Sequence, residues 1–317
     1  MLQSPVPAPR WQATTYSLAY RIGELTLLSR AFSALTLKNH FLELPTDADE
    51  PAPPLELLQG SVAAAIVLSH PISTRLPRVH TSPSLLRYVP SHYSHCYTSL
   101  SGTFDNYLTK FSPKTRNTLK RKVRRFLEHG EGSGIREYKR PEDMNEFLLL
   151  ARRISANTYQ EKLFDAGIPA SPAFAAELEN RARQNSVRAY LLFLRNEPVA
   201  YLCCPADGTV LLYSYLGYKS ETAELSPGTV LQYLAFELLF REQQFTVFDF
   251  TQGQGDHKRF FGTHEVLCAD MLYFRNSLSS QFWIRLHAAI DDISALTGRA
   301  LERFGLKARI KRLIRRL

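Results

Sequence analysis

Apolar and polar positions along the 317-residue chain change period several times, and each change marks an element. Over the first hundred residues short apolar runs are divided by proline-rich segments, which predicts strands over 23–32, 62–68, 85–89 and 93–100, with the polar stretch 45–54 as a loop. Phe104, Tyr107, Leu108 and Phe111 then fall at i, i+3, i+4 and i+7, the stripe of a short amphipathic helix. Ser112 and Pro113 open a second helix, because serine caps the free N–H groups of a first turn and proline wastes no donor there. That helix runs to Gly130, with Leu119, Val123, Phe126 and Leu127 as its apolar stripe.

From Ile135 the order reads strand, helix, helix, three strands, helix, two strands, a mixed α/β pattern. A strand over 135–138 precedes helices over 141–161 and 171–185. Strands over 189–194 and 199–204 are joined by a hairpin turn at Arg195-Asn196-Glu197-Pro198. A tyrosine-rich strand over 210–217, a helix over 226–243 and strands over 245–250 and 266–274 follow, and the chain is largely helical from Gln281. The length suits two units of about 150 residues. The expected divisions are 1–130, which includes the second helix, then 131–278, then a helical tail over 279–317.

Composition adds that the chain is globular: 44% hydrophobic, 22% charged and 11% aromatic, with no apolar run longer than Val62–Leu68 and hence no expected membrane span. The first residues show neither a basic nor an apolar signal region, so a cytoplasmic location is expected, with the inner membrane surface as a peripheral address. The four cysteines lack a C-x-x-C pair and read as reduced, buried thiols. His92, His95 and Cys96 place three metal-ligating side chains within five residues, but no second cluster completes a tetrahedral set, so no metal is expected.

The net charge of +9 is unevenly spread. Residues 110–125 hold eight basic residues and no acid, and residues 303–317 hold seven more. Setting those fifteen aside leaves 24 basic against 30 acidic residues, so the body is mildly acidic and two basic elements face anionic groups. In the tail, Ile310, Leu313, Ile314 and Leu317 repeat at helical spacing between basic residues, which suits either an anionic membrane surface or a protein face.

Two segments carry candidate chemistry. Leu225-Ser226-Pro227-Gly228-Thr229 opens a helix directly after a strand, so its unpaired N–H groups and partial positive charge can receive a phosphate, or the segment is a plain cap. Asp249 sits between two aromatics at the end of the next strand, with His257 and Lys258 eight and nine residues on and Phe260-Phe261-Gly262 behind them.

Asp249, Phe250, Gly253, Lys258, Phe261 and Gly262 match the D-F-x-x-G-x-x-x-Y-K-x-x-F-G signature of the GNAT superfamily, in its exopolysaccharide-cluster (CelD-like) and Fem-type branch. His257 stands where that family has tyrosine. The Ser-Pro-Gly helix start resembles the family too, as does the basic helix with Ser112, Arg116 and Arg121; the resemblance covers roughly residues 103–275. It implies two GNAT-like lobes, each a twisted mixed sheet flanked by helices, the first degenerate.

The resemblance further implies an N-acyltransferase that moves an acyl group from acyl-CoA to an amine on a small molecule, glycan or peptide. The strands over 213–218 and 245–250 would part to admit the carrier, with its phosphates on Leu225, Ser226, Gly228, Thr229 and Lys258. Asp249 would bind or deprotonate the amine, or else cap its own turn. His257 would donate a proton, or serve structure. Tyr213 and Tyr215, expected on one strand face, would line the acceptor cleft, or pack. Arg116 and Arg121 would meet an anionic acceptor. A Fem-type transfer from aminoacyl-tRNA, or a silent RNA- or membrane-binding module, are the alternatives.

Overall fold

The computed structural model describes residues 11–23, 25–37, 53, 55–58, 63–156, 167–253 and 255–303. Two compact units divide the chain, one made of residues 1–94 and 266–317 and the other of residues 95–265.

In the first unit β1 (Trp11–Ile22) and β2 (Leu25–Leu37) form an antiparallel hairpin, and β2 runs parallel to β3 (Ala64–Pro71). Here the expected strand over 23–32 needs correction. Gly23 has φ +59° and makes the turn, a conformation glycine enters without a Cβ clash, so the strand begins after it and a partner strand precedes it. Two shorter strands, β4 (Val79–Thr81) and β5 (Leu85–Tyr88), pair antiparallel.

The second unit takes in the end of β6 (His92–Ser99), then α1 (Phe104–Leu108), α2 (Pro113–Leu127), β7 (Gly134–Tyr138), α3 (Met144–Ser155) and α4 (Pro172–Arg183). It continues through β8 (Val187–Leu194), β9 (Glu197–Asp207), β10 (Val210–Leu212), β11 (Tyr215–Tyr218), α5 (Pro227–Glu242), β12 (Val247–Asp249) and α6 (Asp256–Phe261). The helix starts follow local chemistry: the Ser112 side chain accepts from Thr115 N–H and that of Ser171 from Phe174 N–H, each with proline in the first turn. Between β8 and β9, Arg195 and Asn196 both have positive φ, the backbone of a two-residue hairpin turn.

β7, β8 and β9 pair antiparallel, and β9 carries β10 and β11 on its other edge. Seven of the eight residues of β8 are buried, because helices cover both faces. Tyr190, Leu192, Ala200 and Leu202 point into one cluster with α1, α2 and α5, while Ala189, Leu191, Tyr201 and Cys203 point into the other with α3 and α4. Leu119, Val123 and Phe126 seat α2 on the first cluster, but Leu127 is exposed and does not extend the stripe. The fully buried Arg188 is held by two hydrogen bonds to the Glu242 carboxylate, at 2.8 and 2.7 Å, so its charge is matched inside the unit.

The chain returns to the first unit with β13 (His264–Arg275) and α7 (Leu278–Arg303). Residues 268–275 pair antiparallel with β3 and β5, and Trp283, Ile284 and Leu286 of α7 pack on the core formed by Leu18, Tyr20, Ile66 and Tyr88. Each unit is thus a mixed sheet flanked by helical structure, the mixed α/β class expected from the sequence. The four cysteines are buried, and none forms a disulfide among the described residues. No described helix is long and apolar enough to cross a membrane, and the basic repeat of residues 310–317 lies outside the described residues.

Candidate functional site

β10 and β12 run parallel and in register from Val210↔Val247 to Leu212↔Asp249, and Tyr213 N–H still donates to the Asp249 carbonyl at 2.8 Å. Beyond that bond the two strands part. β12 ends, while β11 continues along β9 alone. Tyr213 and Ser214 belong to neither strand, and the alternation slips by one residue across them. Leu211, Tyr213 and Leu216 consequently share one cluster, whereas Tyr215 turns to the opposite one and packs its ring 5.1 Å from Phe174. The expectation that Tyr213 and Tyr215 share a face is therefore corrected, and Tyr215 lies away from the gap.

A cavity of about 420 Å³ lies beside β11 where it leaves β12, lined on the strand side by Tyr213, Leu216 and Tyr218, on the helix side by Ser226, Gly228, Thr229 and Gln232, and closed by His257 and Phe261. Ser226 has φ 54° and ψ 50°, a left-handed backbone that costs a non-glycine residue about 1–3 kcal/mol when the surroundings enforce it. No side chain caps the first turn of α5, so Gly228 and Thr229 present N–H groups and the positive end of a sixteen-residue helix to the cavity. Leu225 is buried in the core and does not line the cavity. A Cβ at Gly228 would lie 3.7 Å from the Tyr218 ring, ordinary contact, so the glycine leaves space for a ligand and is not there to relieve a clash. One turn further in, the buried Gln232 side chain has no hydrogen-bond partner for its Nε2 among the described residues.

A second cavity, about 470 Å³, shares Thr229, His257 and Phe261 with the first and is flanked by Lys114, Thr118 and Lys122 of α2. The basic helix thus delivers Lys114 and Lys122 to the start of α5. Arg116 is partly exposed and lines neither cavity, and Arg121 is exposed on an outer groove with Lys120 and Arg124. Lysines 114 and 122 sit in the same basic run in the sequence, and only the rotation of α2 against α5 distinguishes them from the arginines.

The segment after β12 is stitched from within. Asp249, 3% exposed, accepts from Thr251 N–H at 2.7 Å and lies 2.5 Å from Nε2 of the buried His95. Lys258 Nζ donates to the carbonyls of Thr251 and Gln252, at 3.2 and 2.8 Å, and lines neither cavity. Lys110 Nζ donates to the carbonyls of Phe260 and Gly262 at the end of α6, and burial lowers its ammonium to about 8. At Gly262 a Cβ would come within 2.8 Å of the Lys258 carbonyl oxygen, so only glycine fits. Asp249 and Lys258 both hold the loop and line neither cavity, which for Asp249 is the turn-capping alternative that the sequence leaves open.

His257 does line both cavities, with its ring 5.8 Å from that of Tyr213. Burial, and then the charge of Lys258, lower its pKa, so the imidazole is neutral at pH 7 and able to accept a proton. His92 accepts from Leu76 N–H and the buried Cys96 packs against Gly262, so these side chains serve the packing around them. Because Asp249 is buried and hydrogen-bonded, Asp249→Ala is expected to lower stability by about 1–3 kcal/mol in urea denaturation. An unchanged midpoint would remove it from the scaffold.

This geometry has a counterpart among known families. Residues 113–259 match the model of the acetyltransferase (GNAT) domain. The second unit carries a GNAT domain. Its span begins at the first residue of α2, which makes the basic helix part of the domain, and ends within α6. No curated protein matches the chain. Among solved structures the chain is similar to FemX, with 12% identity over 86% of this chain and 90% of that one and a TM-score of 0.51. It is also similar to the C-terminal domain of a protein assigned as a lysylphosphatidylglycerol synthetase from Agrobacterium fabrum, with 9% identity over 93% and 90% and a TM-score of 0.50. At such identities these likenesses establish the fold alone. The acetyltransferase (GNAT) match, confined to residues 113–259, supports acyl transfer as the general chemistry.

Proposed function

We propose that this GNAT protein transfers an acyl group from acyl-CoA to a primary amine. The observation that carries the reading is the gap between β11 and β12, which opens onto an uncapped helix start. The diphosphate would accept hydrogen bonds from Gly228 and Thr229 N–H, with Lys114 and Lys122 neutralising further phosphate charge. The pantetheine arm would follow the cavity inward past Tyr213 to the buried Gln232 amide, whose unused N–H is a donor for a carbonyl.

In the transfer itself the amine nitrogen attacks the thioester carbon, the carbon–sulfur bond breaks, and the sulfur leaves as a thiolate that takes up the proton lost by the newly acylated nitrogen. Backbone amides exposed where the strands part would stabilise the oxyanion. His257, neutral and lining both cavities, would take a proton from the substrate ammonium and free the amine to attack. Purified protein is expected to release free thiol from acetyl-CoA or a longer acyl-CoA when given amines drawn from small molecules, amino sugars and peptides.

A second reading rests on the open groove along α2 lined by Lys114, Lys120, Arg121 and Arg124, which suits a polyanionic donor such as aminoacyl-tRNA. Absence of thiol release across the amine panel, together with tRNA binding that weakens steeply with salt, would favour it over acyl-CoA.

A further inference from the structure

The first unit lies outside the span matched to the GNAT domain and has a cavity of its own, about 220 Å³ in volume. Its walls are apolar and aromatic, with Leu18, Tyr20, Phe32, Phe274 and Trp283 forming most of them. Two guanidinium groups also line it, those of Arg30 and Arg275. The carbon of the Arg30 guanidinium lies 4.1 Å from the centre of the Trp283 ring, a stacking that fixes the cation at the wall. Neither arginine forms an ion pair with a carboxylate among the described residues.

Ser277, Ser279 and Ser280, at the start of the twenty-six-residue α7, also line it. Ser277 and Ser280 exchange side-chain-to-backbone hydrogen bonds, each at 3.1 Å, and the positive end of the helix dipole lies with the two arginines. Next to them in the chain Leu278 is 87% exposed and Phe282 60% exposed, apolar surface where a helix start is ordinarily polar. Apolar walls with two guanidinium groups that have no carboxylate partner among the described residues fit a ligand that is itself divided into a hydrocarbon part and an anionic head. The volume is below the roughly 300 Å³ at which sites for drug-sized ligands begin, so the enclosed part of the ligand is short.

We infer that the first unit binds an anionic amphiphile, with a carboxylate or phosphate head on Arg30 and Arg275 and its hydrocarbon against Trp283, Phe32 and Phe274. The site is separate from the acyl-CoA reading and stands whether or not that reading holds.

The chain has two tryptophans, Trp11 and Trp283, so Trp11→Phe leaves the cavity tryptophan as the only indole emitter. In that background 8-bromooctanoate is expected to quench fluorescence saturably, because bromine must touch the indole, and to do so about tenfold more tightly than 8-bromooctanol. Arg275→Gln is expected to remove that preference while leaving the melting temperature unchanged, since the side chain is exposed. Arg30→Gln provides a second variant, expected to act the same way. Vesicles of phosphatidylcholine with brominated phosphatidylglycerol distinguish the sources: quenching by them alone identifies a bilayer lipid, and quenching by free bromooctanoate a soluble amphiphile. No saturable quenching by either probe, or equal quenching by the acid and the alcohol that both variants leave untouched, would overturn the inference.

Discussion

Gly228→Asp is expected to weaken CoA binding by about ten- to a hundredfold while the protein melts at the same temperature or slightly higher. The separation of the two effects comes from the local geometry. The new Cβ meets only ordinary contact with Tyr218, and glycine is a poor helix residue by roughly 0.5–1 kcal/mol, so the fold loses nothing. A carboxylate in the first turn also interacts favourably with the helix dipole, by about 0.3–1 kcal/mol. Against a bound diphosphate the same carboxylate is a like charge at close range, worth about 1–3 kcal/mol at the effective dielectric of a protein surface. Calorimetric titration with CoA and a thermal melt of the same sample read the two effects independently. Unaltered CoA affinity in the variant would mean that the start of α5 is merely a helix start.

His257→Gln should cost about 10²–10⁴ in kcat for thiol release with little change in the affinity for CoA, the magnitude typical of a lost general base. The pH dependence provides the sharper measurement. Burial and Lys258 depress the histidine pKa, so the neutral, proton-accepting form persists below the ordinary value of about 6.5. For the native protein kcat/KM should therefore hold as pH falls through 6.5 and drop only at lower pH, as the ring becomes protonated. The glutamine variant should lack that acid limb altogether. An identical limb in both proteins would assign the titration to the amine substrate or to another group.

The parts of the fold written in local signals were legible. Ser112-Pro113 and Ser171-Pro172 announce their helices through capping chemistry that involves only three or four neighbouring residues. The hairpin turn at Arg195-Asn196 is likewise local. The strand Trp11–Ile22 leaves a trace in the alternation of Tyr16, Leu18 and Tyr20 ahead of Gly23, but the periodicity alone runs the next strand through Gly23, whose positive φ makes the turn.

The candidate residues are close together in the sequence, but the sequence does not say which way each one faces. An aspartate between two phenylalanines can face a cleft or the interior, and what settles Asp249 is His95, 154 positions away. Likewise Tyr215 changes face because the sheet slips one residue at Tyr213-Ser214, a choice made by pairing partners on β9 and β12. Lys114 and Lys122, and not Arg116 and Arg121, line the cavity beside α5 through the rotation of α2, which depends on how Leu119, Val123 and Phe126 seat in the core. Asp249, Lys258 and Gly262 of the signature all make contacts within the loop after β12 that keep its shape.

The sulfur inventory has a practical corollary at the bench. Cys96, Cys203, Cys204 and Cys268 are all enclosed, and burial raises the pKa of Cys203 to about 12, so the native protein offers a disulfide reagent almost no thiolate to attack. Ellman chemistry applied to a working reaction mixture would then count product alone, with the enzyme contributing no colour. Denaturant brings those same four sulfurs into solution, which turns the reagent into a clock for unfolding.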